Sequence, residues 1–342
     1  MAQRGLTPEV IDRIVEYITA FALYGFPESH AASFALIAYA SAYLKAHYAP
    51  AFYTALLNNQ PMGFYHPATL VKDAQRHGVR FACIDVHASD WLCRVEPDGK
   101  VRLGLMYVQG VRSDVGERIA ACRADRSRAF ASLEALIAAT GLRRDELSTL
   151  AEVGALNSFG YDRRTALWQI ERAVRPRGEL LAREDADAGG AAIADPASAS
   201  PLAKMTPLER VMADYQGTGL TIGTHPMTFR RAELQAHGVL RAIDLPRARP
   251  GKFVRVAGAV ITRQRPGTAK GFVFLTLEDE TGIANIIVRP DLFTQDRVTI
   301  VSESFLLVEG LLQQQDGVTS VKAERVRALR GDGPAIASHD FH

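Results

Sequence analysis

Cysteine is nearly absent, with 3 in 342 residues. Cys83, Cys93 and Cys122 form no CxxC pair and no zinc-ligand spacing, which excludes a disulfide-stapled scaffold and points to a reducing, cytoplasmic setting. No apolar run approaches the ~20 residues that span a bilayer, and the opening MAQRGLTPEV has no hydrophobic core behind its arginine. Neither a membrane nor export is therefore expected. A surplus of one charge is also missing: 40 Lys+Arg against 38 Asp+Glu leave +2. That excludes a purely electrostatic polyanion binder but leaves room for local basic patches. No solenoid-type repeat is visible. What is present, 47% hydrophobic and 23% charged residues, belongs to a folded chain, and at ~150 residues per domain the length implies two or three domains.

The first 78 residues read as helices. Thr7 and Pro8 suit an N-cap and a first helical position, and apolar residues from Val10 to Ala22 recur at helical spacing until Gly25 and Pro27. A second helix starts near Ser29 and runs to Tyr48. Its apolar residues go nearly all round, so deep burial or two packing partners are expected. Shorter helices follow after Pro50 and from Pro67 to His77, where Gly78 supplies a stop. Segments 79–84, 91–96 and 100–105 look like strands around the turn Pro97-Asp98-Gly99. Helices return over 113–174 with turns at Gly141, Gly154 and Gly160.

Residues 176–205, including ADAGGAAIADPASAS, hold almost no large apolar side chains and read as a flexible linker. A helical connector at 206–250 follows. Candidate strands at 253–263, 272–278, 283–289, 298–312 and 318–326 then suit a five-stranded OB-like barrel over 251–330, with a short tail at 331–342. A generic β-sandwich is the alternative on pattern alone. The expected fold class is multidomain α and β: a helical fingers-type segment at 1–78, a short β segment with a tandem helix-hairpin-helix region at 79–175, and the barrel.

Several runs have a familiar form. GFPESHAASFALIAY (25–39) with YLKAHYAP (43–50), IDVHASDW (84–91) and GLTIGTHPM (219–227) resemble bacterial DNA polymerase III alpha subunits, the C-family replicative polymerases. ITRQRPGTAKGF (261–272) with LEDETG (277–282) is similar to the error-prone, damage-induced branch of that family. The resemblance covers nearly the whole chain and implies its C-terminal region. The family's palm, which carries the metal-holding carboxylates, has no counterpart in these residues, so Met1 is expected to be an internal methionine of a longer parent. Phosphoryl transfer needs such carboxylates. The resemblance therefore implies a chain inactive alone, with no catalytic, metal or cofactor residues. Mg2+ and dNTPs belong to the intact enzyme, a DNA-directed DNA polymerase of translesion synthesis. Asp12, Asp85 and Asp90 are not substitutes, since Asp12 lies on a helix and the others in a loop.

Site expectations follow module by module. Ser29, His30 and Lys45 would support the fingers, or cap the helix and complement its dipole. VQGVRSD (108–114) resembles the hairpin of a helix-hairpin-helix unit, and VGAL (153–156) a second copy. Gly110, Val111, Arg112, Gly154 and Ala155 would then meet duplex phosphates through backbone N–H groups, without base specificity. Arg112 stands where a second glycine is usual: its side chain replaces the backbone contact, or the hairpin is degenerate. Arg118, with Arg123, Arg126 and Arg128, could add an electrostatic footprint or form a solvated face paired with Asp114, Glu117 and Asp125. In the barrel, Arg263, Arg265 and Lys270 flank Pro266-Gly267, and Phe272 and Phe274 alternate with Val273 and Leu275. Either the phenylalanines face outward to stack on bases or they form the core. The partners implied are primer–template DNA, its single-stranded template and accessory translesion proteins. No sliding-clamp peptide is found in 176–205. The rival readings are a non-catalytic DNA-binding module and an accessory-protein scaffold.

Overall fold

The computed structural model describes residues 7–23, 28–62, 65–124, 130–174, 200–330, 334, 336 and 338–341. The expected stop at Gly25 and Pro27, nearly all of the linker, and Arg126 and Arg128 lie outside the described residues.

Helices α1 (Pro8–Leu23), α2 (Glu28–His47), α3 (Ala49–Asn58) and α4 (Pro67–Arg76) form where the apolar spacing places them. The His66 ring nitrogen accepts the Ala68 N–H at 3.2 Å to start α4, and Gly78, at φ +81°, follows its end. One expectation is corrected here. Helix α2 is not buried: Phe34 is 58% and Tyr39 71% exposed, and Leu36 and Ile37 also face solvent. An all-round apolar helix needs neighbours on both sides, and α2 is held at its C-terminal end, where Lys45 Nζ donates to Asp73 at 2.9 Å.

The three strand segments shrink to two-residue pieces, β1 (Phe81–Ala82), β2 (Arg94–Val95) and β3 (Val101–Arg102), in the order β1-β3-β2. The Pro97-Asp98-Gly99 turn joins β2 to β3 antiparallel. Helices α5 (Ser113–Ala124), α6 (Leu133–Thr140), α7 (Arg144–Glu152) and α8 (Arg163–Ala173) follow, and beyond the linker comes α9 (Pro207–Thr218). Gly141, Gly154 and Gly160 adopt positive φ in the turns between helices. Tyr53 and Leu57 of α3, Val71 of α4, Leu147 and Leu150 of α7 and Val211 of α9 belong to one buried core.

The rest is the barrel. A short helix α10 (Arg231–Ala236) and strand β4 (Val239–Leu240) lead into β5 (Phe253–Gln264), β6 (Val273–Glu278) and β7 (Ile283–Val288). Two short helices, α11 (Pro290–Gln295) and α12 (Arg297–Ser302), precede β8 (Phe305–Gln315) and β9 (Val318–Ala328). The sheet runs β5-β6-β7-β9-β8 and closes through β8 on β5. The core alternates as period 2 requires: Val273, Leu275 and Leu277 point in, with Ile286, Val288, Val308 and Val321 opposite. Here the expected strand at 298–312 is corrected, since its first third is helix α12. Ile300 is fully buried while Val298 is 80% exposed, and β-branched residues there mimic a strand.

A 3-10 turn over Ala242–Arg247 plugs one end of the barrel with Ala242 and Leu245. The tail supplies a further strand, β10 (His339–Phe341), parallel to β5. The barrel meets the helices through α4. Arg76 pairs with Glu278, which is 3% exposed, while Lys72 Nζ donates to Gly223 O at 2.7 Å and Gln75 to Ile222 O at 2.7 Å. The GLTIGTHPM run therefore acts as mortar between helix and barrel.

Candidate nucleic-acid interface

The first hairpin is a tight turn. Val111 N–H donates to Val108 O at 3.3 Å, and Gly110 sits at φ +82° with its backbone exposed. Val111 is buried and anchors the turn. Its side is tied to α9 by Gln109 N–H donating to Gly217 O at 2.8 Å. The second hairpin is built differently. Gly154 is at φ +83°, but its N–H goes to Ala151 O at 3.0 Å and that of Ala155 to Leu150 O at 2.8 Å. Ala155 is itself fully buried, and its carbonyl accepts the Val86 N–H. Gly154 and Ala155 therefore use their N–H groups internally, whereas Gly110 presents an exposed backbone at its tip.

Arg112 is the main surprise. Its backbone N–H, Nε and Nη2 all donate to the Glu146 carboxylate at 2.9–3.2 Å. Glu146, 1% exposed, also accepts the Arg143 N–H at 2.8 Å. Burial pushes the Glu146 pKa up, but the bonds from Arg112 and Arg143 outweigh it and hold the carboxyl below its ordinary range. The same bond raises Arg112. Arg112 thus clamps the first hairpin to helix α7 of the second, and the expected free phosphate ligand is corrected to a strut. Arg118 pairs with Asp114 at 2.9 Å, and Arg123 with Asp90 and Ser89 O, so this cluster is largely neutralised. Asp85 accepts the His87 N–H and the Ser158 hydroxyl, each at 2.8 Å, which ties IDVHASDW to the second hairpin. Among the described residues no group of three or more His, Cys, Asp or Glu is placed to hold a metal ion.

Among the N-terminal helices, Asp73 receives both Lys45 and the Tyr53 hydroxyl, the latter at 2.5 Å. Desolvation and the Asp73 bond raise the Tyr53 pKa. Lys45 therefore joins α2 to α4. The exposed His30 stacks edge-on against Phe34 at 4.5 Å. The Ser29 side chain lies outside the described residues.

The barrel divides the basic loop. Arg263 is 9% exposed, in β5 rather than the loop; it donates to Ile300 O at 2.7 Å and Glu303 O at 2.6 Å, and reaches Ser338 and Asp340 of the tail. It is a corrected expectation: a buried stitch, not a backbone-tracking cation. Arg265 and Lys270 stay exposed. The Arg265 guanidinium lies 5.0 Å from the Phe293 ring. Lys270 takes a left-handed φ of +49°, which turns the loop. Phe274 is 37% exposed and Phe272 half-buried, while Val273 and Leu275 fill the core, so the aromatic set faces outward. Register places Ile287 beside Phe274, Asn285 beside Thr276 and Lys322 beside Ile287. These neighbours were missed in the sequence; the alternation of β7 and β9 was the available signal. Aromatic and cationic groups together on the β6–β7 face, with the β5–β6 loop at its edge, form a surface suited to stacking bases and holding phosphates.

Comparison with known proteins bears on the same modules. The family described as "Helix-hairpin-helix motif" matches residues 78–166, and "OB-fold nucleic acid binding domain" matches 254–329. An error-prone DNA polymerase of Rhodopirellula baltica is 42% identical over all of this chain, which covers 30% of that protein. Error-prone DNA polymerase 2 of Rhizobium meliloti is 41% identical over 99% of the chain, and an error-prone DNA polymerase of Burkholderia pseudomallei 42% identical over all of it; the chain covers 32% of each. The chain thus spans about a third of the length of the curated relatives it matches. Over its whole length it is homologous to the C-terminal region of error-prone DNA polymerases, with a helix-hairpin-helix region followed by an OB fold.

Proposed function

We propose that this chain grips DNA for an error-prone polymerase acting in damage-induced translesion synthesis. The helical region holds the primer–template duplex through Gly110 and its neighbours, and the barrel holds the single-stranded template ahead of synthesis. The outward turn of Phe272 and Phe274 beside exposed Arg265 and Lys270 carries this reading. Nucleotide addition, with its Mg2+ and dNTPs, rests with the remainder of the intact polymerase. Among the described residues no three His, Cys, Asp or Glu side chains are grouped to hold a metal ion. A protein-contact role draws on a separate feature, the exposed apolar residues of α2, which suit the rest of a polymerase or an accessory translesion protein.

The test is binding of the chain to a fluorescent primer–template with a single-stranded overhang, titrated across salt, beside a primer-extension assay with Mg2+ and dNTPs. Binding should weaken steeply with salt, because phosphate contacts release counterions. No extension is expected. Absence of binding at low salt would sink the DNA-gripping role, and extension above control would place catalytic groups within the chain.

A further inference from the structure

The registers around the barrel carry one row of outward residues almost full circle. Gln264 faces Phe274 on β6, Phe274 faces Ile287 on β7, and Ile287 faces Lys322 on β9. Lys322 in turn faces Leu311 on β8, and Leu311 faces Phe253 at the start of β5. Phe253 is 53% exposed and Leu311 37%. At ~4.8 Å per strand, the four steps from Phe274 to Phe253 cover ~19 Å across the strands. The second aromatic stands on the β5–β8 side, away from the β6–β7 face and its loop.

Beside Phe253 lies an unusual charge. Arg247, Arg249 and Lys252 are all exposed, and none has an ion-pair partner among the described residues. Most other arginines among the described residues carry an ion pair, so three unpaired cations within six residues are a local surplus. Asp244 is paired with Arg241 at 2.8 Å and also feels the Arg247 charge, and Asp316 is exposed in the β8–β9 turn, so the three cations still outnumber these two carboxylates. The segment is fixed rather than loose. Gln314 Nε2 donates to Pro246 O at 3.0 Å, Gly251 N–H to Leu312 O at 2.8 Å, and Leu312 N–H to Lys252 O at 2.9 Å.

We propose that Phe253 with Arg247, Arg249 and Lys252 forms a second anchor for single-stranded DNA, reached by a path that leaves Phe274 and crosses Lys322 and Leu311. The aromatic ring would stack a base and the three cations would hold phosphates, so the charge of the site matches its ligand. The inference rests on the single-strand reading of the barrel and lengthens its footprint.

The test measures affinity of the full chain for labelled oligo-dT of about four and about twelve nucleotides, the span of single OB-fold sites. The longer strand should bind much more tightly. Phe253→Ala should weaken it about tenfold while leaving the short strand unchanged, and Phe253→Tyr should restore the loss. Arg247→Gln with Arg249→Gln, on exposed positions that leave the core untouched, should lower the salt slope for the long strand by about 1.4. Wild-type length dependence in these variants would overturn the second anchor and leave the stripe as a protein-contact face. Failure of the wild type to bind either strand would instead sink the single-strand reading beneath it.

Discussion

The Glu146 carboxylate collects four N–H groups, three from Arg112 and one from the Arg143 backbone. In the sequence Arg112 stood in a glycine position of a hairpin, and a phosphate was the natural partner to imagine. Its actual partner comes 34 residues later, a separation no local pattern discloses. Glu146→Gln should destabilise the chain by about 2 kcal/mol at pH 7, because charge-assisted bonds to a buried group are lost. Urea denaturation of the two proteins checks this. The pH sense follows from the direction of the shift. With a folded pKa below the unfolded ~4.3, the carboxylate contributes stability above that value and loses it as pH falls through the folded pKa. The gap between wild type and variant should therefore narrow between neutral pH and pH ~3. Arg263 carries the same lesson: it looked like a loop cation and is a buried stitch, since only its distant neighbours, the Ile300 and Glu303 carbonyls, decide where its guanidinium lies.

Among the elements, α5 shows a local rule set aside by packing. Gly116 should weaken a helix by ~1 kcal/mol relative to Ala. Yet a Cβ at Gly116 would overlap the Trp91 ring, which lies against the helix from the IDVHASDW loop. Gly116→Ala should accordingly destabilise by about 1–2 kcal/mol despite its better propensity, because overpacking outweighs the gain. A thermal melt reads the sign, and an unchanged or raised Tm would contradict the contact. Helix α12 is the opposite case. Its Val-Thr-Ile-Val run has strand composition, but burial of Ile300 alone among its apolar residues follows a helical face. The barrel strands were legible because their alternation survives in the core, and α2 was misjudged because amphipathicity says nothing about which neighbours are present.

At the scale of the whole molecule, the barrel is locked to the helices by buried charge. Lys72 is 6% exposed, and desolvation lowers its pKa to about 8. Glu278 and Asp214 oppose that shift while Arg76 adds to it; Gln75 and Gly223 O accept from its ammonium. With a folded pKa below the unfolded ~10.4, the unfolded chain binds the extra proton between those values, so Lys72 makes stability rise with pH across that window. Cys93, raised by burial to about 11, acts in the opposite sense. The difference between wild type and Lys72→Met cancels the Cys93 contribution. That difference should shift in favour of the wild type from pH 8 to pH 10 in urea titrations, and a flat difference would remove Lys72 as the cause.

The sequence alone determined the order of modules, the helices with glycine turns between them, the barrel and the family resemblance, all of which depend on spacing over a few residues or on contiguous runs. It also exposed the two possible faces of β6. Only the tertiary structure decided which face points outward, that Arg112 and Arg263 are occupied, and that a row of residues from five strands runs around the outside of the barrel. Those outcomes depend on contacts between positions tens of residues apart. A short-range pattern limits what a side chain can do, and the neighbours brought by folding select what it does.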